Sequence, residues 1–280
     1  MSASSAGSSS SGGTGTAPGG IYIADTGNNR ILYISDFAGT GLTEKTGYNA
    51  PRSVAIGTDN RIYIADTGNH RIVRMNSING SGEVTYGTYG SGAGNFSNPQ
   101  GIAIGYDGRI YVADSGNNRI VRLDDINGTG WISYGSYGTG TGNFSGPGDI
   151  SVNSSGMIMI SDSMNKRVVR INDMSGSGWK EYYEGKEVYG VHLFNDSSAC
   201  FISRSSPSGT DIIRRLTVLF GIDVNYGAFT DVVGLHVNST GSEFYIAESG
   251  ANMIRKTSFS TVLATYASGL SNPMDVFVKE

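Results

Sequence analysis

One twelve-residue phrase returns along this chain, and a repeat of that period leaves few folds open. It reads IYIADTGNNRIL from Ile21, IYIADTGNHRIV from Ile62, IYVADSGNNRIV from Ile110, IMISDSMNKRVV from Ile158 and, shifted by an insertion, FYIAESGANMIR from Phe244. A degenerate copy, CFISRSSPSGTDIIR, begins at Cys200. The acidic slot is filled by Asp25, Asp66, Asp114, Asp162 and Glu248, with Arg204 in fifth place, and successive slots lie 41, 48, 48, 42 and 44 residues apart. Periods of this length belong to solenoids, propellers and arrays.

Within each unit an alternating apolar segment is followed by a Gly/Asn turn and a second alternating segment, the pattern of a strand pair. Gly and Asn tolerate the positive φ that a tight turn demands, so DTGNNR reads as a hairpin turn and nothing reads as a helix. A further short strand precedes each hairpin, as in SVAIG after Pro51, GIAIG after Pro99 and DISVN after Pro147. A fourth follows at Glu83, Trp131 and Trp179. Four antiparallel strands per unit make one propeller blade.

Counting the pieces gives the closure. The hairpin at Ile21 has no inner strand before it, and the chain ends on NPMDVFVKE, an inner strand with no hairpin after it. Pairing the two yields an all-β, six-bladed propeller over residues 20–280, closed by one C-terminal strand on three N-terminal ones. Residues 1–19, rich in Ser and Gly, read as a flexible tail without a hydrophobic signal core.

The repeat resembles the NHL-repeat family, whose unit runs Pro-x-Gly-Ile-Ala-Val, a Gly turn, Ile-Tyr-Val-Ala-Asp and Asn-x-Arg-Ile. NPQGIAIGYDGRIYVADSGNNRIVRL, residues 98–123, matches it almost throughout. The resemblance extends over about residues 20–280 and implies a fold, not a function.

Composition narrows the function classes. Gly at 42 of 280 residues and charged residues at 16% suit short strands joined by tight turns, and a net charge of −4 offers no footprint for nucleic acid or an anionic membrane. No apolar run is long enough to span a bilayer, so membrane insertion is not expected. Lone Cys200 excludes an intrachain disulfide and reads as a small buried hydrophobe.

The recurring pairs Asp25 with Arg30, Asp66 with Arg71, Asp114 with Arg119 and Asp162 with Arg167 look catalytic until counted. A fold that repeats a unit reuses its structural contacts, so four equivalent pairs read as fasteners. In blade 5 the signs exchange, with Arg204 in the acidic slot and Asp211 in the basic one, as a charge-assisted hydrogen bond would tolerate. Blade 6, with Glu248 and Met253, lacks the basic partner and is expected to be looser there.

Among three histidines, His70 fills a turn slot held elsewhere by Asn29, Asn118 and Lys166. His192 and His236 share one slot in neighbouring inner strands, where other blades carry Ala55, Ala103, Ser151 and Phe277. Two imidazoles at one level near the axis could share a metal, but packing against the small residues opposite is the favoured expectation, and no metal or other cofactor is expected.

An enzyme family that resembles this fold, the peptidyl-hydroxyglycine amidating lyase, places metal-binding His just after the Pro that opens the inner strands. The matching positions here are Arg52, Gln100, Gly148, Tyr189, Val233 and Met274, so that zinc site cannot be carried over. The glycine runs from Gly90 and Gly138 lack the Lys and Ser/Thr of a P-loop.

Positions where the copies disagree are where a repeat fold can encode a ligand. Arg52, Gln100, Tyr189, Val233 and Met274 are therefore the candidate ligand-binding residues, at one mouth of the axial channel. RNA binding, which some animal NHL-repeat proteins perform at a basic mouth, is not expected with Arg52 alone. The expectation is a monomeric, non-catalytic module in an extracytoplasmic setting, binding a protein or glycan through one face. The alternative is a lyase or hydrolase using the channel, with His192 and His236 holding a metal.

Overall fold

A computed structural model describes residues 16–204, 211–217, 221–229, 231–258 and 261–280. Six four-stranded antiparallel blades form the ring. Blade 2, from the axis outward, comprises Ser53–Ile56, Ile62–Asp66, Arg71–Met75 and Val84–Tyr86. The inner strands of blades 3 to 6 are Pro99–Ile104, Pro147–Val152, Val188–Leu193 and Val232–Val237.

Blade 1 is the composite one. Its inner strand is Pro273–Lys279, hydrogen-bonded to Gly20–Asp25, with Arg30–Ile34 and Thr43–Thr46 outside. Ile21 faces Val278 and Ile23 faces Val276 in that register. The one-plus-three closure read from the leftover strand is the observed one.

The second strand of each blade is buried on both sides, which is why IYIAD repeats as an almost unbroken apolar run. In Ile62–Asp66 all five residues are buried. Alternation then assigns sides: Ile62 and Ile64 pack with Tyr22, Ala24 and Ile31 of blade 1, whereas Tyr63 and Ala65 pack with Ile102 and Val112 of blade 3. The core is thus a set of wedges between neighbouring blades. Cys200 is fully buried in the wedge between blades 5 and 6.

The motif turn differs in detail from a plain hairpin turn. Thr26–Asn28 makes one turn of 3-10 helix, closed by Asn29 in the left-handed region at φ 54°. His70, Asn118 and Lys166 adopt the same conformation at φ 55°, 54° and 56°. Asn reaches this region at low cost because its amide bonds locally. Here Asn29 Oδ1 accepts the Ala50 backbone N–H at 2.8 Å, and Asn118 Oδ1 that of Gly146 at 2.9 Å. His70 Nδ1 accepts the Asn98 N–H at 3.0 Å in the same way, a role the turn reading had not assigned.

Of the stretch expected to be a tail, residues 1–15 lie outside the described residues. Residues 16–19 are docked rather than free: Ala17 is 1% exposed and its N–H donates to Asn60 O at 2.8 Å, while Tyr22 and Tyr33 hydroxyls donate to Pro18 O and Gly19 O. The ordered boundary therefore precedes residue 20.

Candidate functional site

Each motif aspartate is a hub of the ring. Asp66 Oδ2 accepts Arg71 Nε at 2.7 Å and Asn69 Nδ2 at 2.9 Å, and its Oδ1 accepts the Asn49 N–H on the segment leading into the same blade. Asp25, Asp114 and Asp162 repeat the arrangement, with Ser271, Ser97 and Ser145 donating to Oδ1. The next residue stitches blades together: Thr26 and Thr67 hydroxyls donate to Pro51 O and Pro99 O of the following inner strand at 2.5 and 2.6 Å. Ser115 and Ser163 do the same to Pro147 O and Val188 O.

Arg167 shows the fastener at its fullest. Its Nε donates to Asp162 at 2.8 Å, and its terminal nitrogens reach Thr139 O, Asn143 O and Glu181 Oε2. Both partners of the pair have 0% side-chain exposure. Burial opposes the Arg167 charge, but the Asp162 hydrogen bond and charge outweigh it and its pKa moves up.

Blade 5 keeps a pair with exchanged signs, but the contact is longer, 3.4 Å from Arg204 Nε to Asp211 Oδ1. Arg204 turns toward the axis, its guanidinium 4.4 Å from the Tyr189 ring centroid and its Nη1 donating to the Tyr189 hydroxyl at 3.0 Å. Blade 6 corrects the expectation of a missing partner. Arg255, two residues beyond Met253 and so on the same side of the strand, reaches Glu248 at 3.0 Å. The extra methylene of Glu lengthens the reach across the hairpin.

The axial channel has three levels, one for each inward slot of the inner strands. At the mouth, Arg52, Gln100, Gly148, Tyr189, Val233 and Met274, one from each blade, line a single cavity of about 240 Å³. Ser161, Ser163 and Met164 of blade 4 also border it, as does Glu187, whose carboxylate accepts the Tyr189 hydroxyl at 2.5 Å. Arg52 Nη1 donates to Gln100 Oε1 at 3.3 Å, and among the described residues no carboxylate lies in ion-pair range of it. Burial pulls its pKa down.

At the waist the six slots hold Asp275, Ser53, Gly101, Asp149, Gly190 and Gly234. The two aspartates belong to blades 1 and 4, opposite one another in a ring of six, and both border the cavities above and below. Asp275 Oδ2 accepts the Ser53 hydroxyl at 2.8 Å and the Val54 N–H at 3.1 Å; Asp149 Oδ2 accepts the Val191 N–H at 2.8 Å. Each carboxylate thus grips the following blade. Gly precedes each of them around the ring because a Cβ on Gly101 or Gly234 would lie 2.8 or 2.6 Å from the Asp149 or Asp275 Cα. Burial pushes the Asp149 carboxyl up to about 6, and burial together with the Asp149 charge pushes Asp275 up to about 8.

Sequence reasoning missed this pair. The signal was present, since DISV and DVFV align slot for slot. Its meaning depends on ring closure, which makes the first and fourth units opposite.

Below the waist a wider cavity of about 900 Å³ opens to the other face. His192, His236 and Phe277 form an aromatic wall, with His192–His236 ring centroids 5.8 Å apart at 79° and His236–Phe277 at 4.5 Å. Burial lowers the imidazoles to about 4 and about 3, leaving both neutral. Ala55, Ala103 and Ser151 line this cavity as well, and Phe277 packs against the core cluster that contains Ala55. Among the described residues no group of three or more His, Cys, Asp or Glu is gathered closely enough to hold a metal.

The NHL-repeat family model matches residues 48–75 and 96–123, in blades 2 and 3. No curated relative matches the chain. Among solved structures, a streptogramin B lyase aligns with TM-score 0.64 at 20% identity over 92% of this chain and 83% of its own. A catalytically inactive virginiamycin B lyase from Staphylococcus aureus with quinupristin aligns with TM-score 0.63 at 21% identity, covering 92% and 87%. A nidogen/laminin complex chain aligns with TM-score 0.67 at 15% identity, covering 94% and 99%. Identities this low speak to the fold alone, which an enzyme and a binding protein share. The chain is a six-bladed β-propeller that carries NHL repeats in blades 2 and 3.

Proposed function

We propose that the propeller is a non-catalytic interaction module that receives a protein partner on the mouth face. One observation carries this reading: among the described residues the three most exposed large apolar side chains, with a fourth beside them, lie on that face. Tyr89, Tyr137, Met164 and Tyr183 are 73, 77, 74 and 60% exposed. Tyr89 and Tyr137 occupy the loops feeding blades 3 and 4, Met164 the motif turn of blade 4, and Tyr183 the upper end of its outer strand. Exposed apolar clusters of this kind mark interaction sites. Folds shared with the nidogen/laminin chain lend the same reading support at the level of architecture.

Lyase or hydrolase chemistry at His192 and His236 is the second reading, supported by the wide cavity they line and by the lyase folds. Imidazoles held near 4 and 3 are weak bases at neutral pH, and this disfavours them as proton acceptors.

The test is differential capture from the producing cell's own surface and secreted fraction. Immobilised wild-type chain is compared with Tyr89→Ser/Tyr137→Ser/Met164→Ser and with Tyr106→Ser/Leu42→Ser on the opposite face. Loss of a bound protein by the first variant alone is expected. Retention by the first variant, or equal loss by both, would overturn the reading.

A further inference from the structure

The mouth cavity holds one cation, Arg52, and the three carboxylates that share its lining are hydrogen-bonded elsewhere: Glu187 to the Tyr189 hydroxyl, Asp149 to the Val191 N–H and Asp275 to the Ser53 hydroxyl. Arg52 presents five N–H donors, and its side-chain contact is a 3.3 Å bond to the neutral Gln100 amide, with no carboxylate in ion-pair range among the described residues. The contrast with Arg30, Arg71, Arg119 and Arg167 is direct, since each of those is bonded to an aspartate at 2.7 or 2.8 Å. A half-buried guanidinium is costly to desolvate, and a carboxylate meets it with two parallel hydrogen bonds.

We infer that the mouth cavity is a receptor for a carboxylate, presented by an acidic side chain of the partner protein and bound by Arg52 with Gln100 beside it. This rests on the mouth-face reading above and adds the chemistry of what enters. The cavity of about 240 Å³ suits one side chain rather than a domain. Val233, Met164 and Met274 offer apolar walls to the methylene stem of a Glu or Asp, and the Ser161 and Ser163 side chains also border the space.

Two features decide against other anions. A sugar acid usually stacks its ring on an aromatic face, but the one aromatic ring in this cavity, Tyr189, already carries the Arg204 guanidinium at 4.4 Å. A phosphate dianion would bring a second negative charge into a cavity whose lining holds one cation, Arg52, beside the carboxyls of Glu187, Asp149 and Asp275.

The experiment is an NMR titration of the isotope-labelled chain with N-acetylglutamate amide, N-acetylglutamine amide and methyl glucuronide at millimolar concentration. Saturable shifts at the Gln100 side-chain amide with the glutamate compound are expected. They should weaken about tenfold in Arg52→Gln, less in Arg52→Lys, and be absent with the glutamine compound. An unaltered spectrum elsewhere in Arg52→Gln establishes that the variant is folded. Equal shifts with the glutamine compound, unchanged affinity in Arg52→Gln, or tighter saturation by methyl glucuronide would each overturn the assignment. Capture by the mouth face without carboxylate binding sinks this inference alone; carboxylate binding without capture sinks the protein partner and leaves only the carboxylate chemistry of the cavity.

Discussion

Blades 4 and 5 are built on the same register and spend their charges differently. In blade 4, Arg167 and Asp162 are both sealed from solvent at 2.8 Å, and the arginine also holds carbonyls of the loop entering from blade 3. In blade 5 the exchanged pair stands at 3.4 Å, and Arg204 divides itself among Asp211, Asp231 and the Tyr189 ring. The arginine lost to fastening is gained at the channel mouth. A repeat fold can thus redirect an arginine toward the channel mouth by exchanging two residues, while the ring around it stays closed.

The largest effect of a single substitution that would test this contrast is removal of one partner of the sealed pair. Asp162→Ala takes from the buried Arg167 guanidinium its sealed partner, leaving only the half-exposed Glu181 as counter-charge, and should lower unfolding free energy by about 3 kcal/mol, measured by urea denaturation. A loss as small as that of Asp211→Ala would erase the distinction between the blades.

A second effect lies at the axis, where blade 4 contributes Asp149 and blade 5 His192. Asp149 is pushed up to about 6 from an ordinary value near 3.8, so the folded state holds the extra proton and this group makes stability fall as pH rises from about 4 to 6. His192 is pushed down to about 4 from 6.5, so the unfolded state holds the extra proton and stability rises between about 4 and 6.5. The two slopes oppose each other. Asp275, pushed up to about 8, adds to the falling slope and His236, pushed down to about 3, to the rising one, so the double variant Asp149→Asn/Asp275→Asn should uncover the histidine slope, a gain on the order of 5 kcal/mol from pH 4 to 6.5 in thermal or urea unfolding. A variant whose stability stays flat across that window would show that the imidazole is not held neutral.

The smallest expected effect belongs to the loose pair. Arg204→Met should cost no more than about 1 kcal/mol, as partly exposed ion pairs do, while altering the Tyr189 environment seen by near-UV circular dichroism or NMR. Stability unchanged together with an unchanged Tyr189 signal would mean that Arg204 does nothing at the mouth.

Much of this was legible in the repeats. The period and the leftover strand gave blade number and closure, and the recurrence of Asp and Arg pointed to fastening, because both follow from comparing copies along the chain. The Arg255 partner of Glu248 was hidden by a two-residue offset, which costs nothing on a strand because alternate residues share a face. Arg204's turn toward Tyr189 could not be read because side-chain direction at a hairpin end depends on what the neighbouring strand presents. Asp149 and Asp275 were legible as letters and not as a pair, since their opposition exists only once the ring is closed.

The closing strand has one more implication. Pro273–Lys279 supplies Met274 to the mouth, Asp275 to the waist and Phe277 to the aromatic wall, one residue at each level of the channel. Until those last residues dock on Gly20–Asp25, blade 1 has no inner strand and none of the three levels has its full circle of six side chains. Completion of the channel and closure of the ring are therefore a single event, so that a chain cut before Pro273 would retain most of its blades and lose the full circle at all three levels at once.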